Sequence, residues 1–225
     1  MKKLILLIFL SASLVGCKNE QPEINSSPEL SADKDPVAKE IAMANGFGNF
    51  SNVNQLNYTF NVKVNDSLVS QRQWKWFPKE NKVELTEKGK TFSYVSNGDL
   101  DDQEKEIDQK FINDKYWLLF PYELIWSDFK GEKEPQATAP ISKTQMQMLT
   151  VKYPDTGGYT PGDTYLVYYD REDKIIKEWT YQSANGRSLS TTWEDYENFN
   201  GLNIAKMHSS EDGNFQLFFT DIEVK

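Results

Sequence analysis

With one cysteine and one histidine among 225 residues, the sequence holds little of the chemistry that usually announces a function. The lone Cys17 excludes an intrachain disulfide framework, cysteine-rich zinc sites and iron–sulfur clusters. Cys-His or Ser-His-Asp catalysis would rest on His208 alone, near the end of an expected strand, where a single histidine is more often a surface or core residue than a catalyst. Basic residues are scarce beside acidic ones, 25 against 34, for a formal charge of -9 and a pI near 4.8. That balance argues against a nucleic-acid groove, which depends on a basic surface. No apolar run reaches the ~20 residues of a membrane-spanning helix. The segment holding Gly157-Gly158 and Pro161-Gly162 lacks the lysine and the following helix of a phosphate cradle, so no nucleotide site is read there. Aromatic residues are plentiful instead, 13% of a chain that is 38% apolar. This is the composition of a folded globular protein, and the length fits one domain or at most two.

The amino terminus carries the clearest address. Lys2 and Lys3 precede an apolar run over 4–10, then Ser11-Ala12-Ser13 and Leu14-Val15-Gly16-Cys17. The order positive, apolar, small reads as a signal peptide over 1–16. Leu-Val-Gly-Cys resembles a bacterial lipobox, which implies that Cys17 becomes the first residue of the mature chain and is acylated by palmitate-like chains on its sulfur and on its amino group. Each buried methylene of such chains contributes ~0.8 kcal/mol to membrane residence. The sequence therefore places the protein in the bacterial cell envelope, at the outer membrane, with the membrane as partner through these acyl chains. Residues 17–36, polar and proline-containing, read as a lipidated flexible tether. Lys18-Asn19-Glu20 partly resembles a surface-export signal but lacks its doubled acid at Asn19, so periplasmic and surface faces both stay open. Asp66-Ser67-Leu68 looks like an O-glycosylation acceptor, a pattern short enough to recur by chance.

Residues 37–225 read as a single domain. Asp35 as N-cap, Pro36 at the first turn and Val37, Ile41 and Ala44 on one stripe predict a short helix. The period then changes to two: from Gln55 to Val64 every even residue is apolar and every odd one polar, the pattern of a strand with one buried face. Strand-like runs recur at 70–77, 82–86 and 90–95. Residues 100–115 read as a helix capped by Asp101 or Asp102. The aromatic run 116–126 must pack against something, and 131–142 reads as a loop. Strands are expected again at 145–153, 164–170, 175–182, 188–196, 202–208 and 215–224. The fold class is therefore mainly β (α+β), a large curved antiparallel sheet or incomplete barrel of about ten strands with capping helices.

Several segments, Trp117-Leu118-Leu119-Phe120-Pro121-Tyr122-Glu123-Leu124, 162–170, 176–181 and 192–202 among them, resemble an uncharacterised family of bacterial lipoproteins whose fold is similar to the lipoprotein carriers LolA and LolB. The resemblance implies a half-barrel closed by helices, with an apolar concave face able to hold acyl chains. It does not imply the carrier activity itself. On the residues alone, Tyr58, Phe60, Trp74, Trp76, Phe92, Tyr94, Tyr165, Tyr169, Trp179, Tyr181 and Trp193 are candidates to line that face and bind a hydrophobic ligand, a lipid or an acylated protein. The same rings would also serve as a filled core between sheet and helices, because aromatic residues favour strands in any case. Periodicity does not separate these readings.

The acidic candidates are structural in expectation. Asp99, Asp101 and Asp102 depart from a calcium-loop spacing and suit a helix start. Asp170, Glu172 and Asp173 suit a tight turn. No metal site, cofactor or catalytic residue is assigned. The reading is a non-enzymatic envelope lipoprotein binding a hydrophobic ligand; the alternatives are a structural or partner-binding lipoprotein with a filled core and, more weakly, a hydrolase using a carboxylate pair.

Overall fold

The computed structural model describes residues 34–159 and 161–225. The expected signal peptide, Cys17 and nearly all of the tether lie outside the described residues. Helix α1 (Pro36–Ala44) begins where its cap is expected, with Asp35 Oδ1 accepting from the Val37 and Ala38 amides at 2.7 and 3.3 Å. Strands β1 (Leu56–Val64), β2 (Ser67–Phe77), β3 (Lys82–Glu87) and β4 (Lys90–Val95) follow as antiparallel hairpins. Helix α2 (Asp102–Trp126) then leads to β5 (Lys130–Thr138), β6 (Gln145–Lys152), β7 (Thr164–Tyr169), β8 (Ile176–Gln182) and β9 (Ser188–Thr192). The chain ends in β10 (Glu197–Phe199), β11 (Leu202–Ile204), β12 (Met207–Ser209) and β13 (Phe215–Val224).

Two antiparallel sheets result, ordered β12-β13-β1-β2-β3-β4 and β5-β6-β7-β8-β9, with β10-β11 as a separate ribbon. They meet at a seam where the end of β9 and the chain just beyond it bond to β12. The Glu194 amide donates to the Met207 carbonyl at 2.9 Å, and the Ser209 amide to Thr192 Oγ1 at 3.0 Å. The mainly β, antiparallel architecture with helices against it is thus the one the sequence calls for.

Helix α2 occupies the concave side. Asp101, not Asp102, caps it through a capping box: its carboxylate accepts from the Glu104 amide at 2.8 Å while Glu104 Oε2 accepts from the Asp101 amide at 2.9 Å. Such a cap contributes about 1 kcal/mol. Two apolar stripes run along the helix. Ile107, Phe111, Leu118, Tyr122 and Ile125 pack on the first sheet, and Tyr116, Phe120 and Leu124 on the second. A helix buried on two sides needs apolar residues around most of its circumference, which explains the aromatic run over 116–126. Pro121 lies inside the helix, and Leu119 just before it leaves helical geometry at φ -124, ψ 28. Proline cannot donate to the preceding turn and its ring crowds that turn's carbonyl, so the helix kinks here.

Two expectations require correction. Residues expected as a loop at 131–142 form most of β5, whose residues are nearly all exposed, with a register irregularity between Glu134 and Ala137 around Pro135. An edge strand with neither face buried has no apolar alternation to read. The expected long strand at 188–196 stops at Thr192, with Glu194 left as an isolated bridge to Met207, and the one at 202–208 is split into β11 and β12, because the chain leaves the second sheet to form the ribbon and the seam. Where α1 ends, Gly46 (φ +88) lies so close to the β10–β11 turn that an added Cβ would stand 2.0 Å from the Gly201 carbonyl oxygen. Only glycine meets both conditions.

Candidate functional site

Strand alternation decides where the candidate rings lie. Tyr58 and Phe60 on β1, Trp74 and Trp76 on β2, and Tyr94 on β4 are at most 3% exposed and share one core cluster with Phe111 of α2. Trp74 and Trp76 stand 5.4 and 5.5 Å, centroid to centroid, from Phe111. Tyr165, Tyr169, Trp179 and Trp193 belong to a second cluster, against Tyr116 and Phe120 of α2. Here Trp179 is 5.0 Å from Tyr165, 5.1 Å from Phe120, 4.6 Å from Trp117 and 5.2 Å from Trp193. Phe92 and Tyr181 are half-buried at the margins. The eleven candidates are therefore gathered into two groups on either side of α2, and Trp117 of the helix packs against both.

Residues that alternation could not reveal give this interior its polar character. Asp114 on α2 accepts from Arg72 Nε at 2.7 Å, Arg72 Nη2 at 2.6 Å and Trp74 Nε1 at 2.8 Å. The Arg72 guanidinium lies 4.5 Å over the Phe60 ring. Lys115 and Glu123, both buried, pair at 2.9 Å on opposite sides of the kink, with the ammonium 5.1 Å over the Trp126 ring. Eight residues apart, their Cα atoms would be ~12 Å distant along the axis of a straight helix. Asp108 accepts from the Tyr94 hydroxyl at 2.8 Å and the Tyr159 hydroxyl at 2.6 Å, which ties Tyr159 to α2. Burial holds the phenols of Tyr58 and Tyr116 well above the usual range.

His208 is fully buried, with its ring 4.5 Å from Trp193, 5.4 Å from Trp117 and 6.0 Å from Phe219. Its Nδ1 stands 3.2 Å from the Thr192 carbonyl. A carbonyl only accepts, so Nδ1 carries the proton and Nε2 is bare. Burial pulls its pKa down to about 3. A neutral imidazole enclosed by rings is not placed to serve as a general base for a solvent-borne substrate. Asp170 is a turn residue, as its position suggests: its Oδ1 accepts from the Glu172 and Asp173 amides, which hold its carboxyl below the ordinary range. Among the described residues no group of three or more His, Cys, Asp or Glu side chains is placed to hold a metal ion. No described helix is long and apolar enough to cross a membrane.

The fold defines a class: antiparallel sheets packed on two sides of a kinked helix. Solved structures similar to this chain include a DUF1329 family protein from Desulfovibrio piger ATCC 29098, 7% identical, covering 85% of this chain and 94% of that one, TM-score 0.46. A LolA superfamily protein from Nitrosomonas europaea is 11% identical, covering 84% and 93%, TM-score 0.47. A domain described as an outer membrane lipoprotein-sorting protein, from Vibrio parahaemolyticus, is 10% identical, covering 84% and 91%, TM-score 0.42. These values carry no argument about family, ligand or activity. No protein-family model matches the chain, and no curated protein matches it in sequence.

Proposed function

We propose that the protein is a lipid-anchored, non-enzymatic protein of the bacterial cell envelope, held at the outer membrane by acyl chains on Cys17, that takes up a hydrophobic ligand between its concave sheet and helix α2. One observation carries this reading. Within the aromatic cluster, Trp179 Nε1, Trp193 Nε1 and His208 Nε2 are buried with no hydrogen-bond partner. A finished core pairs its buried polar groups, and leaving each unpaired costs about 1–3 kcal/mol, so a guest that supplied partners to these groups would be stabilised by an amount of that order. The kink at Leu119 and Pro121 divides α2 into two halves, each packed on the sheets. A guest chain that replaces those contacts gains ~25 cal/mol per Å² of apolar surface removed from water. Tyr58, Phe60, Trp74, Trp76, Phe92, Tyr94, Tyr165, Tyr169, Trp179, Tyr181 and Trp193 would line the path.

A second reading has its own support. The rings around Trp179 already stand 4.6 to 5.2 Å apart, the spacing of a filled core. On that reading the protein meets a partner through its surface. The carboxylate-pair hydrolase finds no support at Asp114 and Glu123, which are paired with Arg72 and Lys115.

Native mass spectrometry with lipid extraction, on the full chain purified in detergent from a bacterial host, separates the readings. We expect lipid or fatty acid retained at near one-to-one beyond the covalent acyl chains; consistently empty protein would establish the filled core. For the anchor, Cys17→Ser is expected to abolish acylation and signal processing, read as loss of radiolabelled palmitate incorporation and accumulation of the unprocessed precursor. Undiminished palmitate labelling would overturn the lipobox assignment.

A further inference from the structure

Four polar side chains meet at the seam between the two sheets without satisfying one another. Thr191 on β9 stands directly opposite Trp179 of β8 in the strand register. Trp193 follows two residues later, and His208 of β12 joins the same seam through the Thr192 carbonyl. Their side chains form one continuous group: Trp179 to Trp193 at 5.2 Å and Trp193 to His208 at 4.5 Å between centroids, with Trp117 of α2 closing against Trp179 at 4.6 Å and His208 at 5.4 Å. All four are at most 3% exposed, and Trp179 Nε1, Thr191 Oγ1, Trp193 Nε1 and His208 Nε2 have no hydrogen-bond partner.

The inventory of unsatisfied groups is specific. Two indole N–H groups can only donate, His208 Nε2 can only accept because Nδ1 holds the proton, and the threonine hydroxyl can do either. The neighbours of the imidazole in this cluster are rings and a backbone carbonyl, while the buried cation of α2, Lys115, lies over the Trp76 and Trp126 rings of the other cluster and is paired with Glu123. A carboxylate or phosphate placed here would be a buried charge without a counter-charge, which costs several kcal/mol. A neutral group carrying both a carbonyl oxygen and a hydroxyl would satisfy donors and acceptor together.

We propose that Trp179, Thr191, Trp193 and His208 form a polar subsite for the neutral head of the ligand, a hydroxyl and ester carbonyl as at the glycerol end of a monoacylglycerol. The acyl chain then runs along the Tyr165 and Phe120 rings. This deepens the hydrophobic-ligand reading and rests on it. The site selects against free fatty acids in their ionised form, although their chains fit the same rings.

The test uses the delipidated full chain and three probes of equal chain length: 1-monopalmitoylglycerol, palmitate at pH 8 and hexadecane, with binding followed by tryptophan fluorescence and by native mass spectrometry. We expect monopalmitoylglycerol to bind at least tenfold more tightly than palmitate. Thr191→Val keeps shape and removes only the hydroxyl, and Trp193→Phe keeps a ring and removes the N–H. Each should weaken monopalmitoylglycerol binding about tenfold and leave hexadecane binding unchanged. Equal binding of all three probes, unaffected by either variant, would overturn the polar subsite while leaving the hydrophobic-ligand reading intact. Binding of none of them would overturn both. A Thr191→Val protein that melts higher yet binds monopalmitoylglycerol as before would show that the hydroxyl meets no ligand, and would also overturn the subsite.

Discussion

Replacing Asp114 by alanine is expected to destabilise the protein by about 3–5 kcal/mol, the cost of stranding a buried charge. The side chain of Asp114 is fully enclosed and that of its partner Arg72 is 15% exposed. The carboxylate receives two guanidinium N–H groups from β2, the Trp74 indole N–H and the Asn113 amide. These bonds join the first sheet to the front half of α2 at the point where Phe111 packs between Trp74 and Trp76. Without the carboxylate, the Arg72 guanidinium keeps only its Ser70 hydrogen bond and its place over the Phe60 ring, and the Trp74 N–H has no acceptor. The cost of the truncation exceeds the net worth of the pair, because burial by itself pushes the Asp114 carboxyl above its ordinary value while the Arg72 bonds oppose that rise. The double variant Arg72→Leu/Asp114→Leu, which leaves no charge stranded, should therefore recover a large part of the loss. Urea unfolding at constant m-value measures both. A loss below about 1 kcal/mol for Asp114→Ala, a magnitude typical of exposed pairs, would falsify this assignment.

His208 is expected to make the protein acid-labile in a way that one substitution removes. In the unfolded chain its pKa lies near 6.5, and in the folded protein burial holds it at about 3. Between those values the unfolded state binds a proton that the folded state refuses, so stability falls as the pH falls, by about 1.4 kcal/mol per pH unit. At pH 4 the contribution amounts to about 3 kcal/mol relative to pH 7. His208→Phe keeps a ring among Trp117, Trp193 and Phe219 and has nothing to titrate. The difference in unfolding free energy between the two proteins should therefore shift in favour of the phenylalanine variant as the pH falls from 7 to 4. Other acid-sensitive groups act alike in both proteins and cancel from the difference. Parallel stability curves across this range would show that the imidazole is hydrated in the folded state.

The legible part of this protein is local. Alternation over 55–64 marks β1 because one of its faces is buried and the other is wet, and Asp35 and Asp101 mark helix starts because orphan amides need acceptors. β5 escapes notice for the opposite reason: neither of its faces is buried, so no apolar period exists to find. The break of the expected 188–196 strand is equally illegible, since it depends on where β12 lies across the seam.

The candidate site divides in the same way. The sequence alone determined which rings face inward, because a two-residue period assigns Tyr58, Phe60, Trp74 and Trp76 to one side of their strands whatever lies beyond. Only the tertiary structure decided what they meet. Helix α2, read from its own sequence as a charged helix followed by an aromatic run, lies across the concave face as one kinked element. It brings Asp114 to Arg72 across 42 residues of chain and places Trp117 against both ring clusters. Periodicity reports the side of an element on which a residue lies. Partners such as His208 and Trp193, or Lys115 and Glu123 across a bend, are set by how the chain returns on itself, and buried polar groups are placed by those returns.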